Sequence, residues 1–184
     1  GVPDGAYLSS DCILNEELEV DISRNRMTHI LGRYEGKASD YYNDFRTNDE
    51  SLRMAPLMQM SKLTKNILGA IDYERARIIR NKNYEYLDAR LGEMNALKLT
   101  RPDGAFSYPF YVENGLEMRE ELLKNRIYIP ILWPNVLEKM AEDSIEYKYT
   151  ANILPLPCDQ RYAIEDMEYL LDVLMAVLNI EFNE

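Results

Sequence analysis

Residues 106–132 read FSYPFYVENGLEMREELLKNRIYIPIL, and the apolar period changes twice inside that stretch. Phe106, Tyr108, Phe110 and Val112 fall on alternate positions, which predicts a strand over 106–112. From Gly115 to Asn125 the spacing is helical, and Ile127 to Leu132 returns to a strand, so the stretch reads as a β-α-β unit. Trp133-Pro134 ends the second strand, and a short helix follows over 136–141. Residues 153–156 predict a third strand, which Pro155 and Pro157 mark as an edge. The closing segment sets Ile164, Met167, Leu170, Leu171, Leu174, Val177 and Leu178 at three- and four-residue steps, a helix fit to lie across the sheet.

Upstream of the turn-forming Arg101-Pro102-Asp103-Gly104, helical spacing predicts a long helix over 72–91. Its outer face carries Arg75, Arg77, Arg80 and Lys82. Pro56 opens a second helical pattern that runs to Ile71, and a third is read over 16–31, followed by a loop broken by Gly32 and Gly36. The expected architecture is mixed α/β (α+β): a helical N-terminal half, residues 1–71, leading into a small two-layer domain, residues 72–184. That domain would carry a thin sheet of about three strands covered by helices.

The chain has 184 residues with 21 Lys+Arg against 32 Asp+Glu, a formal charge of −11, and only the middle third is net basic. Duplex nucleic acid is therefore not an expected partner, since phosphate binding draws on clustered cations. No run approaches the roughly 20 apolar residues of a membrane span, and two cysteines, Cys12 and Cys158, neither staple a secreted scaffold nor have metal-ligand spacing. A reducing cytoplasm is the expected setting. The opening Gly1-Val2-Pro3-Asp4-Gly5-Ala6-Tyr7-Leu8 reads as a turn running straight into a strand, a mid-domain opening that predicts a truncation boundary and makes residues 1–71 the remnant of a larger domain.

Chemistry-bearing motifs are sparse. The sole histidine, His29, has no nucleophile elbow beside it, and no glycine-rich phosphate loop exists. Acidic pairs such as Glu16-Glu17 and Glu165-Asp166 suit helix starts or solvated faces. The cations of the 72–91 helix either meet an acidic or phosphorylated partner or pair along the helix, as Glu74 with Arg77 and Lys82 with Glu85 allow. Fourteen tyrosines against four phenylalanines suggest rings with one wet edge, as at a cleft or subunit interface.

Several segments taken in order resemble the C-terminal part of the DegT/StrS-type sugar aminotransferases, pyridoxal-phosphate enzymes of the aspartate-aminotransferase fold. They are Val2-Pro3-Asp4-Gly5-Ala6-Tyr7-Leu8, Met60-Ser61-Lys62-Leu63-Thr64, Arg80-Asn81-Lys82-Asn83-Tyr84, Tyr108-Pro109-Phe110, Ile127-Tyr128-Ile129-Pro130-Ile131-Leu132-Trp133-Pro134 and Leu154-Pro155-Leu156-Pro157-Cys158-Asp159-Gln160-Arg161-Tyr162. The resemblance implies that the Schiff-base lysine and the large domain lie before Gly1, so that this chain alone does not transaminate and holds no pyridoxal phosphate tightly. It implies a homodimer in the intact protein, with Arg24, Asn25 and Arg26 reaching the neighbouring subunit's cofactor phosphate. It also places Tyr128, Trp133 and Arg161 near the substrate. Trp133 either stacks on a sugar or plugs the core, and Arg161 either meets an anionic substrate or caps its turn. Ala163 stands where the family often has a Ser or Thr cap, which leaves Asp159 or the turn backbone to start the last helix. A stand-alone α/β interaction module, binding through the tyrosine-rich and basic surfaces, is the rival reading.

Overall fold

The computed structural model describes residues 2–13 and 15–179, which fall into two compact units, Gly1–Ile71 and Asp72–Glu184.

In the first unit the strand expected after the opening turn does not form among the described residues, and of the helix predicted over 16–31 only the part from Thr28 is α-helical. Residues 15–22 hold no regular element beyond the parallel bridge of Val20 to Gln59, and a 3-10 turn at Arg24–Arg26 leads into α1, Thr28–Glu35. Glu16, Glu17, Glu19 and Asp21 crowd the earlier stretch with carboxylates and give it no continuous apolar stripe. A second 3-10 turn, Ala38–Tyr41, joins α1 to α2, Tyr42–Arg53, where a loop was expected. The pattern from Pro56 yields only α3, Lys62–Gly69. It starts where the Ser61 hydroxyl accepts from the Thr64 N–H at 3.0 Å, so the cap rather than the apolar spacing sets the boundary.

The second unit follows its sequence more closely. Asp72 caps α4, Tyr73–Leu91, by accepting from the Arg75 N–H at 2.9 Å. Then come β1, Ser107–Tyr111; α5, Gly115–Lys124; α6, Pro134–Lys139; α7, Ile145–Asn152, which was not expected; β2, Ile153–Pro157; and α8, Ile164–Leu178. One core joins Leu87 and Leu91 of α4, Tyr108 and Phe110 of β1, Leu154 and Leu156 of β2, and Met167, Leu170 and Leu174 of α8. The start of α8 is closed by Asp166, whose carboxylate accepts from the Ala163 N–H at 2.8 Å. Asp159 is occupied elsewhere.

Among the described residues the sheet has two strands, β1 and β2, and they run antiparallel. The expected β-α-β unit and third strand do not form, and the ladder shows why. Register places Pro109 opposite Pro155 and Ser107 opposite Pro157, while the Val112 N–H donates to the Asn152 carbonyl at 3.0 Å. The prolines therefore occupy the pairs whose backbone groups face away from the partner strand. At those outward positions a third strand would need donors that Pro109, Pro155 and Pro157 lack.

Side chains take what remains. Asn95, buried behind β1, donates to the Pro109 carbonyl at 2.9 Å and accepts from the Tyr111 N–H at 3.2 Å, as a neighbouring strand would. On β2 the buried Arg119 guanidinium donates to the Ile153 carbonyl at 2.6 Å and to the Ala151 carbonyl at 2.5 Å. Residues 127–132 keep strand alternation, with Ile127 and Ile129 buried and Tyr128 and Pro130 exposed, but they form no strand and pair with neither β1 nor β2. Gly115 lets α5 begin against the same place: a Cβ there would sit 2.3 Å from the Ala151 carbonyl oxygen.

Removing the Asn95 amide leaves the part-buried Tyr111 N–H and Pro109 carbonyl without this partner. Asn95→Ala is expected to destabilise the second unit by about 1–3 kcal/mol in urea melts. An unchanged midpoint would mean that some other group closes the edge of β1.

Candidate functional site

The residues assigned to cofactor binding sit on the 3-10 turn at Arg24–Arg26 in the first unit. Arg26 is not free. Its guanidinium donates to Asp4 at 3.1 Å and closely to Asp21, while the buried Asp4 carboxylate also accepts closely from the Thr64 hydroxyl. Burial raises the Asp21 carboxyl, but the hydrogen bonds from Arg26 and the Ile22 N–H outweigh it and hold it below its ordinary value. Ser23 and Ser61, both buried, share a hydrogen bond of 2.5 Å between their hydroxyls. Asn48 reaches from α2 to the Pro3 carbonyl at 3.0 Å.

These bonds make the centre of the unit polar. Its buried residues are Pro3, Asp4, Ser23, His29, Gly32, Ser61 and Thr64, with no large apolar side chain among those described. Arg24 and Asn25 are exposed, and neither side chain bonds to a described residue. Arg24 and Lys62 flank a hollow of about 400 Å³ whose lining includes Ser23, Ser61 and the first turn of α3. Of the three predicted residues, then, Arg26 is an ion-pair member that lines a separate hollow of about 300 Å³, and Arg24 is the cation left unpaired among the described residues beside the first hollow.

Tyr128, Trp133 and Arg161 lie in the second unit, and no hydrogen bond or ring contact joins them. Tyr128 is 74% exposed and Trp133 is 63% exposed, so Trp133 does not plug the core. Arg161 takes the turn-holding role. Its Nε and Nη2 donate to the two oxygens of the buried Asp159, each at 2.8 Å, and its backbone N–H donates to the same carboxylate at 3.0 Å. Nη1 makes no hydrogen bond. α4 pins the turn from beneath: Asn83 Nδ2 donates to the carbonyls of Cys158, Asp159 and Tyr162, and Arg80 Nε donates to Gln160 at 2.6 Å.

The basic face of α4 is largely spent in this way. Arg77 holds Glu74 and Asp103, and Arg80 also reaches the Gly104 carbonyl. Glu85 pairs with Arg101 and not with Lys82, because the chain after α4 brings Arg101 alongside. Arg75 and Lys82 are exposed, and neither side chain bonds to a described residue. The residues that organise both places, namely Asp4, Ser23, Thr64, Asn95 and Arg119, were not singled out from sequence. Only the Ser-x-x-Thr start of α3 carried a local signal.

Among the described residues no group of three or more His, Cys, Asp or Glu is placed to hold a metal, and no helix is long and apolar enough to cross a membrane. Burial pushes the Cys158 thiol up to about 12, which keeps it protonated and unreactive. Comparison with protein-family models, with curated proteins and with solved structures gives no match.

Burial raises the Asp159 carboxyl, yet the Arg161 hydrogen bonds outweigh it and the folded value lies below 3.8. A depressed carboxylate stabilises the fold above its unfolded value, and the contribution disappears as pH falls through the folded one. Asp159→Asn is expected to cost about 1–3 kcal/mol near neutral pH in chemical melts. The gap between variant and parent should narrow below about pH 4. A gap independent of pH would contradict the charge-assisted pairing.

Proposed function

We propose that this chain is the C-terminal portion of a pyridoxal-phosphate-dependent aminotransferase-like protein of amino-sugar or polysaccharide biosynthesis. In that reading residues 1–71 are the end of a larger domain. One observation carries it. In the first unit Leu8 is 78% exposed, Ile13 86%, Ile22 76%, Met54 90% and Leu57 77%, while the interior is a hydrogen-bonded polar cluster. A self-sufficient unit buries such side chains, and a unit that leaves them outside is fitted to be covered by more protein.

The residues present fit one part of the cofactor and not the other. Arg24 and Lys62 on the rim of the hollow are the cations offered to a phosphate, while the Ser23 and Ser61 hydroxyls beside them are buried and bonded to each other and Asp21 adds a carboxylate to the lining. All eight lysines are exposed, and a Schiff-base anchor needs a desolvated setting, so none of them fits the covalent attachment. No chemical step is assigned to this chain by itself. Exposed Trp133 and Tyr128, and the unbonded Nη1 of Arg161, are the groups offered to a sugar or an anionic substituent in the complete protein.

Pyridoxal phosphate added to this chain, trapped with borohydride and read by intact mass, is expected to leave no single-site stoichiometric adduct. The same chain preceded by its natural upstream sequence is expected to label at one lysine and show an aldimine band. Specific labelling of the chain alone would overturn the assignment of the anchor. An upstream-extended protein that never labels would favour the non-catalytic interaction module.

A further inference from the structure

His29 is the chain's single histidine, and it is buried to 6% exposure on α1. Its ring meets the edge of Phe45 on α2, with centroids 5.8 Å apart. Arg33, one helical turn further along α1, holds its guanidinium 5.9 Å from the same Phe45 ring. Among the described residues no carboxylate forms an ion pair with the imidazole, and Asp44 acts on it only through its field. The contact helps close the α1–α2 hairpin, which is drawn tight where Gly32 faces the Tyr41 ring, leaving no room there for a Cβ.

Both arms of that hairpin hold the start of the chain. Arg26, just before α1, binds Asp4, and Asn48 on α2 binds the Pro3 carbonyl. We propose that His29 is a proton-operated latch: with the ring neutral the hairpin stays shut, and with the ring charged it opens and slackens the ties to Pro3 and Asp4.

The charge around the ring favours this. Burial and the Arg33 guanidinium push the imidazole below its ordinary 6.5, against Asp44 and the Arg26 carbonyl, which pull it up. The remaining charges on the packed elements are largely engaged: Arg26 by Asp4 and Asp21, Asp40 by the Ser39 hydroxyl, Arg46 by Glu50 and Arg53 by Asp49. Glu35 and Lys37, both exposed, complete the set. A base whose folded value is depressed binds protons more readily when unfolded. The hairpin therefore keeps its full stability above 6.5 and loses it progressively as pH falls below. Since no other side chain titrates there when unperturbed, the response has one owner.

The test uses the whole chain. The lone imidazole resonance is titrated by NMR, and amide exchange, corrected for its intrinsic pH dependence, is compared at about pH 7.5 and about pH 5. The expected midpoint lies below 6.5. Amides of α1 and α2 should lose protection by roughly threefold or more, while α4 and α8 keep theirs. His29→Gln should abolish the pH response, and Arg33→Gln should raise the midpoint. A midpoint at or above 6.5 would overturn the latch, as would loss of protection that persists in His29→Gln. If His29→Gln does not fold, an unmoved midpoint in Arg33→Gln overturns it equally.

Discussion

A two-stranded antiparallel ribbon is not stable by itself in water, because each strand offers an outer row of unpaired backbone groups. In the second unit those rows are closed without further strands. Asn95 supplies an amide that reads β1 as another strand would, Arg119 takes the Ile153 carbonyl at the start of β2 and the Ala151 carbonyl just before it, and Pro109, Pro155 and Pro157 offer no outward donor. Burying Arg119 without a carboxylate is costly and depresses its affinity for a proton, so its hydrogen bonds to the backbone are what keep it inside. With the edges sealed, α4 and α8 can cover Tyr108, Phe110, Leu154 and Leu156 and complete the core.

The first unit is built on the opposite principle. Its interior is a chain of hydroxyls, carboxylates and one guanidinium, each finding its partner across distant parts of the sequence, such as Thr64 with Asp4 and Ser61 with Ser23. Bonds of this kind specify an arrangement closely but add only about 1 kcal/mol each. A unit held this way, with Leu8, Ile13 and Leu57 outside, is suited to pack against a larger body and to respond to a single proton at His29. The aminotransferase reading and the latch both draw on that economy.

What could be read in advance followed from period and local chemistry. α4, α5 and α8 have sustained apolar spacing, and β1 and β2 sit where short alternating runs meet turn residues. The limits of the reading were equally physical. Ile127 to Leu132 alternates like a strand, but alternation reports burial of one face and says nothing of whether a neighbour has free backbone groups. The helix α2 escaped notice because its inward face rests on Phe45 and polar residues such as Asn48, and α7 because its polar sequence buries only Ala151. Arg24, Asn25 and Arg26 look alike in sequence. Only the fold separates the one held by Asp4 from the two left exposed.

The account depends most on side chains, and not a third strand, closing the sheet, and residue-resolved amide exchange in the second unit addresses that directly. The Tyr111 amide, bonded to Asn95, is predicted to exchange as slowly as its ladder neighbour Val112, while the amides of Tyr128, Ile129 and Ile131 exchange freely. Alternating protection through 128–132 together with a fast Tyr111 would mean that a third strand pairs after all, and would contradict it.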